Sequence, residues 1–137
     1  SKISEYVKPR RKRLLIAEDN EAERMSVSEL LSHPDIEIDT ADTGQGALDK
    51  LRENRFDCMV LDLRLPDMSG FEVLEQMQAD EALAELPVVV FTGRDLSSDE
   101  DARLHTMARS IVGKGAASPE RDETIRNFVL RGLMGPR

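Results

Sequence analysis

The chain has 137 residues, enough for one domain with a continuous core of more than one layer. Its 19 Lys and Arg against 27 Asp and Glu leave a net charge of −8, which argues against nucleic acid as a partner of the folded body. The single cysteine excludes an internal disulfide framework and fits a reducing compartment, and no apolar run approaches the ~20 residues that span a bilayer, so a soluble, cytoplasmic domain is expected.

Charge is unevenly spread. Residues 1 to 13 hold six basic side chains and one acid, a net +5 that leaves −13 for the rest. Residues 1–12, with "YVKPRRKR", read as a basic linker or tail, residues 13–131 as the folded domain, and residues 132–137 as a C-terminal tail. The start at Ser1 without a methionine suggests an excised segment or a processed start.

From Leu14 onward short apolar runs alternate with helical patterns. Leu14-Leu15-Ile16-Ala17 reads as a first strand, and Asn20 to Glu23 is a capping box that starts a helix. Ile36-Glu37-Ile38 alternates like an edge strand, and Gly44, Ala47, Leu48 and Leu51 then follow helical spacing. Cys58-Met59-Val60-Leu61 is continuously apolar, as a strand buried on both faces must be, and Cys58 within it reads as a core residue. Ser69 to Glu72 caps a third helix whose face is Gly70, Val73, Leu74 and Met77. Val88-Val89-Val90-Phe91 is another central strand. Ser97 to Glu100 opens a polar fourth helix, roughly 97–107, with only Ala102, Leu104, Met107 and Ala108 as apolar candidates, and it is expected to be loosely held. Ser110-Ile111-Val112 is a brief fifth strand, and Ser118-Pro119 caps a last helix with Ile125, Phe128 and Val129 on one face. Five strands alternating with five helices imply an α/β fold, a doubly wound, flavodoxin-like parallel sheet of order 2-1-3-4-5, with its ligand crevice between strands one and three.

In a parallel sheet every strand ends on the same edge. Glu18 and Asp19 follow the first strand, Asp62 the third, Thr92 the fourth and Lys114 the fifth, so three carboxylates, a hydroxyl and an ammonium converge on one crevice. Three close carboxylates repel one another, and one lysine does not balance them; a divalent ion with oxygen ligands, Mg²⁺, is the economical answer. Such a site suits a phosphoryl group, with Asp62 as a nucleophile that forms an acyl phosphate. Each residue also has a duller reading: Asp19 or Asn20 as a helix cap, Asp62 as a turn residue, Thr92 as a loop hydroxyl, Lys114 as a surface charge. Convergence of four strand ends tips the balance. His33 and His105 are solitary and read as surface or capping residues.

The motifs "LLIAEDN", "VLDLRLPDMSGFEVL", "VVVFTG" and "SIVGKG" together resemble the receiver domain of two-component response regulators, in order and spacing, from about Arg13 to the last helix. The resemblance implies that Asp62 accepts phosphate from a histidine on a partner kinase or phosphotransfer domain. It implies that Glu18, Asp19, Asp62 and the backbone carbonyl of Arg64 hold Mg²⁺, and that Thr92 and Lys114 contact the phosphoryl oxygens. Thr92 would then shift and bias the surface of fourth helix, fifth strand and fifth helix, through which a homodimer also becomes available. Three features depart from the family pattern. Ile111 stands where an aromatic switch residue is usual, Gly115 where a proline follows the lysine, and Arg64 and Arg94 where the family tunes acyl-phosphate hydrolysis. Two long cations there would shield the phosphoryl group or pair with acids of the empty site.

The resemblance implies a domain that takes phosphate onto itself rather than a conventional enzyme. "VGKGAASPER" resembles the receivers of hybrid sensor histidine kinases, so a transferase parent chain, itself membrane-anchored or not, is expected; a stand-alone regulator is the alternative. A small Mg²⁺-dependent phosphatase would place a second acid two residues after its nucleophile, where this chain has Arg64. A flavin binder is disfavoured because "EDN" after the first strand repels its phosphate, and a purely structural module predicts no response to beryllofluoride with Mg²⁺.

Overall fold

The computed structural model describes residues 10 to 135. The apolar runs and amphipathic segments become, in order, β1 (Lys12–Ala17), α1 (Glu21–Leu30), β2 (Ile36–Ala41), α2 (Gly44–Glu53), β3 (Cys58–Leu61), α3 (Gly70–Gln78), β4 (Val88–Thr92), α4 (Ser98–Leu104), β5 (Ser110–Gly113) and α5 (Pro119–Met134). The strands are parallel in the order β2-β1-β3-β4-β5, as the patterning implies. Every residue of β3 and β4 is buried, whereas β2 and β5 at the edges are only partly covered.

Strand periodicity splits the core into two layers. Leu15, Ala17, Met59, Leu61, Val88 and Val90 point to one face and meet Ala47, Leu48 and Leu51 of α2, Val73, Leu74 and Met77 of α3, and Leu104 of α4. Leu14, Ile16, Cys58, Val60, Val89 and Phe91 point to the other and meet Val27 of α1 with Ile125, Val129 and Leu133 of α5. Both layers are closed by the residues whose helical spacing marked them in the sequence.

Several boundaries differ from expectation for local reasons. Helix α5 continues to Met134, and Gly132 and Leu133 are buried rather than part of a tail; a Cβ on Gly132 would lie 2.9 Å from the Cys58 Sγ, so glycine lets the helix backbone approach the sheet. Lys12, expected in the linker, opens β1. Of the basic lead, residues 1–9 lie outside the described residues, as do 136 and 137. Arg10 is anchored: its guanidinium donates to both carboxylate oxygens of Asp57, at 2.9 and 3.1 Å, and the Arg13 N–H donates to the same group at 2.9 Å. Helix α4 is two turns long, shorter than the 97–107 expected, and Leu104 is its one buried residue.

The caps form where the sequence marks them. Ser97 and Glu100 close a full reciprocal box, and Ser118 accepts from the Arg121 N–H ahead of α5. Helix α2 is capped twice, by Thr43 and by Asp67, whose carboxylate reaches across from the β3–α3 loop to accept the Gly44 and Gln45 N–H groups at 2.7 and 2.9 Å. At α1 the box is half made: Asn20 accepts from the Glu23 N–H at 2.9 Å, but the Glu23 carboxylate goes elsewhere.

Candidate functional site

The ladder of the sheet runs on past the strand ends and fixes the residues that follow. Glu18 N–H donates to Ala41 O at 3.0 Å, Asp62 N–H to Ala17 O at 3.0 Å, and Lys114 N–H to Thr92 O at 2.9 Å. Glu18, Asp62, Thr92 and Lys114 are therefore brought together, all buried, at the carboxyl edge of the sheet. Thr92 is the last residue of β4 rather than the first beyond it.

The Lys114 ammonium is the hub. It donates to Asp62 Oδ2 at 2.8 Å, to Glu23 Oε2 at 2.6 Å and to Glu18 Oε1. The other Asp62 oxygen accepts from the Thr92 hydroxyl at 2.9 Å and from the Arg64 N–H at 3.2 Å. The second Glu18 oxygen accepts from the Asn20 N–H at 3.2 Å. On α5, Arg121 donates to the Lys114 carbonyl at 3.0 Å and lies over the Phe91 ring, which steadies the loop that carries the lysine. The next residue, Gly115, has φ +45, a conformation glycine tolerates, and no peptide bond among the described residues is cis.

Burial and charge divide the two buried acids of the site. Burial penalises the Asp62 carboxylate, but hydrogen bonds from Lys114, Arg64 N–H and Thr92 outweigh it and leave the group below its ordinary range, hence ionised at neutral pH. Burial dominates at Glu18, raising it from 4.5 to about 7 despite help from Lys114 and Asn20, and the negative Asp62 adds to the rise. Burial also opposes the Lys114 charge, but Asp62, Glu18 and Glu23 together raise its proton affinity above the ordinary lysine value.

The oxygens of Glu18, Glu23 and Asp62 lie within 4.8 Å of one another, a donor set suited to a hard divalent cation. The sequence does not single out Glu23 for the site. Its position as third residue of α1 marks it as a cap, and only the fold shows that this helix start faces the lysine. Asp19 lines the same crevice from its exposed rim without joining that group. Arg64 is exposed and also lines the crevice. Arg94 donates its backbone N–H to Thr92 Oγ1 at 3.3 Å, but its guanidinium pairs with Glu100 of α4 and lies over Phe71, not with the acids of the crevice. Ile111 is half-buried against the core layer that includes Leu104.

The sequence profile of the response regulator receiver domain matches residues 14–126. The chain belongs to this receiver family. Among curated relatives, the receiver is 30% identical over 118 residues to the polar-differentiation response regulator DivK of Brucella anthropi, covering 86% of this chain and 96% of that one. Among solved structures, the phosphorylated cyanobacterial phytochrome response regulator RcpA superposes with a TM-score of 0.81 at 26% identity, over 93% of this receiver and 97% of RcpA. The Mn²⁺-bound form of the response regulator Rcp1 superposes with a TM-score of 0.78 at 25% identity, over 92% and 97%. Among the described residues, no helix is long and apolar enough to cross a membrane.

Proposed function

We propose that this receiver takes a phosphoryl group on Asp62 from a phosphohistidine of a histidine kinase or histidine phosphotransfer domain. The observation that carries the reading is the state of Asp62: a buried carboxylate, kept charged by the Lys114 ammonium and two further donors, at the mouth of a crevice that other acids share. One Asp62 oxygen attacks phosphorus, the P–O bond forms as the P–N bond breaks, and the imidazole leaves with the electron pair. Lys114 then meets a phosphoryl oxygen once one of its acidic partners lets go, and the Thr92 hydroxyl turns from Asp62 Oδ1 to another.

Glu18 and Asp62, with Asp19 at the rim and the Arg64 carbonyl, are the residues that would hold Mg²⁺, and the oxygen-only donor set fits it. When bound, the ion neutralises charge that develops on the transferring phosphoryl oxygens. Movement of Thr92 releases the Arg94 N–H and so reaches α4 through the Arg94–Glu100 pair, which links the site to the α4-β5-α5 surface. Ile111 gives that surface an aliphatic side chain where an aromatic partner for Thr92 is usual, so the shift is carried by the backbone and α4. Attachment to a hybrid histidine kinase remains the parentage we favour.

The test is intact mass after incubation with a small phosphodonor and Mg²⁺. Wild type is expected to gain one phosphate and Asp62→Asn none. A stable adduct on the variant, or none on wild type, overturns the reading.

A further inference from the structure

Glu23 is the one member of the Lys114 cluster that the phosphoacceptor reading does not use. It contributes a carboxylate at 2.6 Å from the ammonium, yet its side chain is 48% exposed where those of Glu18 and Asp62 are 4% and 7% exposed. An ammonium has three N–H donors, and Glu18, Glu23 and Asp62 take all three. No donor is left to meet an incoming phosphoryl oxygen until one partner lets go. The partner that loses least by doing so is the half-exposed one, because water takes over its hydrogen bond.

The structure also supplies a place for Glu23 to go. Asn20 and Glu23 occupy the two ends of a capping box, and half of the box is present, with Glu23 N–H donating to Asn20 Oδ1. The missing half would bring the Glu23 carboxylate to the Asn20 N–H, as Glu100 is brought to the Ser97 N–H at the start of α4 in this same molecule. Here the Asn20 N–H is taken by Glu18 Oε2 at 3.2 Å. Once Glu18 turns toward a cation, that N–H is vacated and Glu23 has a second anchor. Two alternative partners for one carboxylate make a two-position element at the entrance of the site.

We infer that Glu23 is a latch on Lys114. In the resting receiver it occupies the ammonium donor that the phosphoryl group needs, and on activation it swings to the Asn20 N–H and closes the α1 cap. Glu23 is in this sense a positioning residue that slows phosphate uptake by holding the lysine. The inference rests on the phosphoacceptor reading given above.

The experiment compares Glu23→Ala with Glu21→Ala, which removes the same charge from the rim of the same crevice. The Asn20 cap on the Glu23 backbone N–H does not depend on either side chain. First, in metal-free buffer, the ¹H–¹⁵N signal of the Lys114 ammonium is followed by NMR. It is expected to be protected from water exchange in wild type and Glu21→Ala, and to exchange faster in Glu23→Ala. Second, phosphate uptake from a small phosphodonor with Mg²⁺ is timed by intact mass. Glu23→Ala is expected to be faster than Glu21→Ala by about threefold, the size of a half-exposed ion pair.

An unchanged Lys114 signal in Glu23→Ala overturns the latch. Equal acceleration in the two variants reduces the effect to rim charge and also overturns it. A loss of Mg²⁺ affinity of about tenfold in Glu23→Ala, measured by titration calorimetry, makes Glu23 a metal ligand instead. A wild type that takes no phosphate defeats the phosphoacceptor reading and the latch with it, whereas a wild type phosphorylated as fast as Glu23→Ala defeats the latch alone.

Discussion

Raising the pH of the metal-free receiver from about 5.5 to about 8 is expected to destabilise it, because the folded state holds a proton on Glu18 that the unfolded chain releases sooner. Glu18 rises from 4.5 to about 7 on folding, mainly through burial. A carboxyl whose folded value is raised contributes stability that is complete below the ordinary carboxylate range and lost as pH climbs through the folded value. The window therefore runs from about 4.5 to about 7. At ~1.4 kcal/mol for each tenfold in proton affinity, the part of that window above pH ~5.5 is worth on the order of 2 kcal/mol, or roughly 7 °C in Tm for a domain of this size. The assay is urea unfolding followed by far-ultraviolet circular dichroism, in chelator, at several pH values. Glu18→Gln cannot ionise and is expected to flatten the slope, and Mg²⁺, which binds the charged acids, is expected to restore wild-type stability at the upper end. Equal slopes in wild type and Glu18→Gln refute the assignment of the buried proton to Glu18.

Asp57 is expected to behave with the opposite sign: burial opposes its charge, but the Arg13 N–H and the Arg10 guanidinium hold it below the ordinary value. Asp57→Asn should cost about 2 kcal/mol at neutral pH, and urea melts should show the gap closing as pH falls below ~3.9 and through the lower folded value. Gly70→Ala places a Cβ 2.8 Å from the Leu63 Cα and 3.1 Å from the Asp62 carbonyl, backbone that cannot give way. It should lose roughly 1–3 kcal/mol by the same melts. Arg64→Ala is expected to shorten the lifetime of phosphorylated Asp62 by about threefold, well under 1 kcal/mol of barrier, and Arg94→Ala to change it less because that guanidinium is engaged with Glu100. A lifetime unchanged in both variants removes the shielding role.

Much of this architecture is legible in the sequence because strand ends in a parallel sheet share an edge. Once Leu14–Ala17, Cys58–Leu61, Val88–Phe91 and Ser110–Val112 read as strands, the convergence of Glu18, Asp62, Thr92 and Lys114 follows without coordinates. Helix faces were equally plain, since Gly44, Ala47, Leu48 and Leu51 can meet only along one side of a helix. What stayed hidden depends on distances between elements distant in the chain. Glu23 carries a perfectly good local explanation as a cap, so nothing in its neighbourhood points to a lysine 91 positions away. Asp67 as a cap for α2 is likewise invisible, because its partners sit 22 and 23 residues earlier. The extension of α5 past Arg131 is not legible because glycine at 132 looks like a helix stop, whereas here it serves close packing on Cys58.

That packing equips the molecule with a reporter of its own. The Cys58 sulfur is sealed beneath the end of α5, on a β3 strand whose following turn carries Asp62. A thiol so enclosed reacts with an alkylating reagent only while the helix is lifted. The labelling rate of this one sulfhydryl therefore counts the openings of the C-terminal helix, and its change on phosphorylation would read, without any added probe, how far the signal has travelled through the domain.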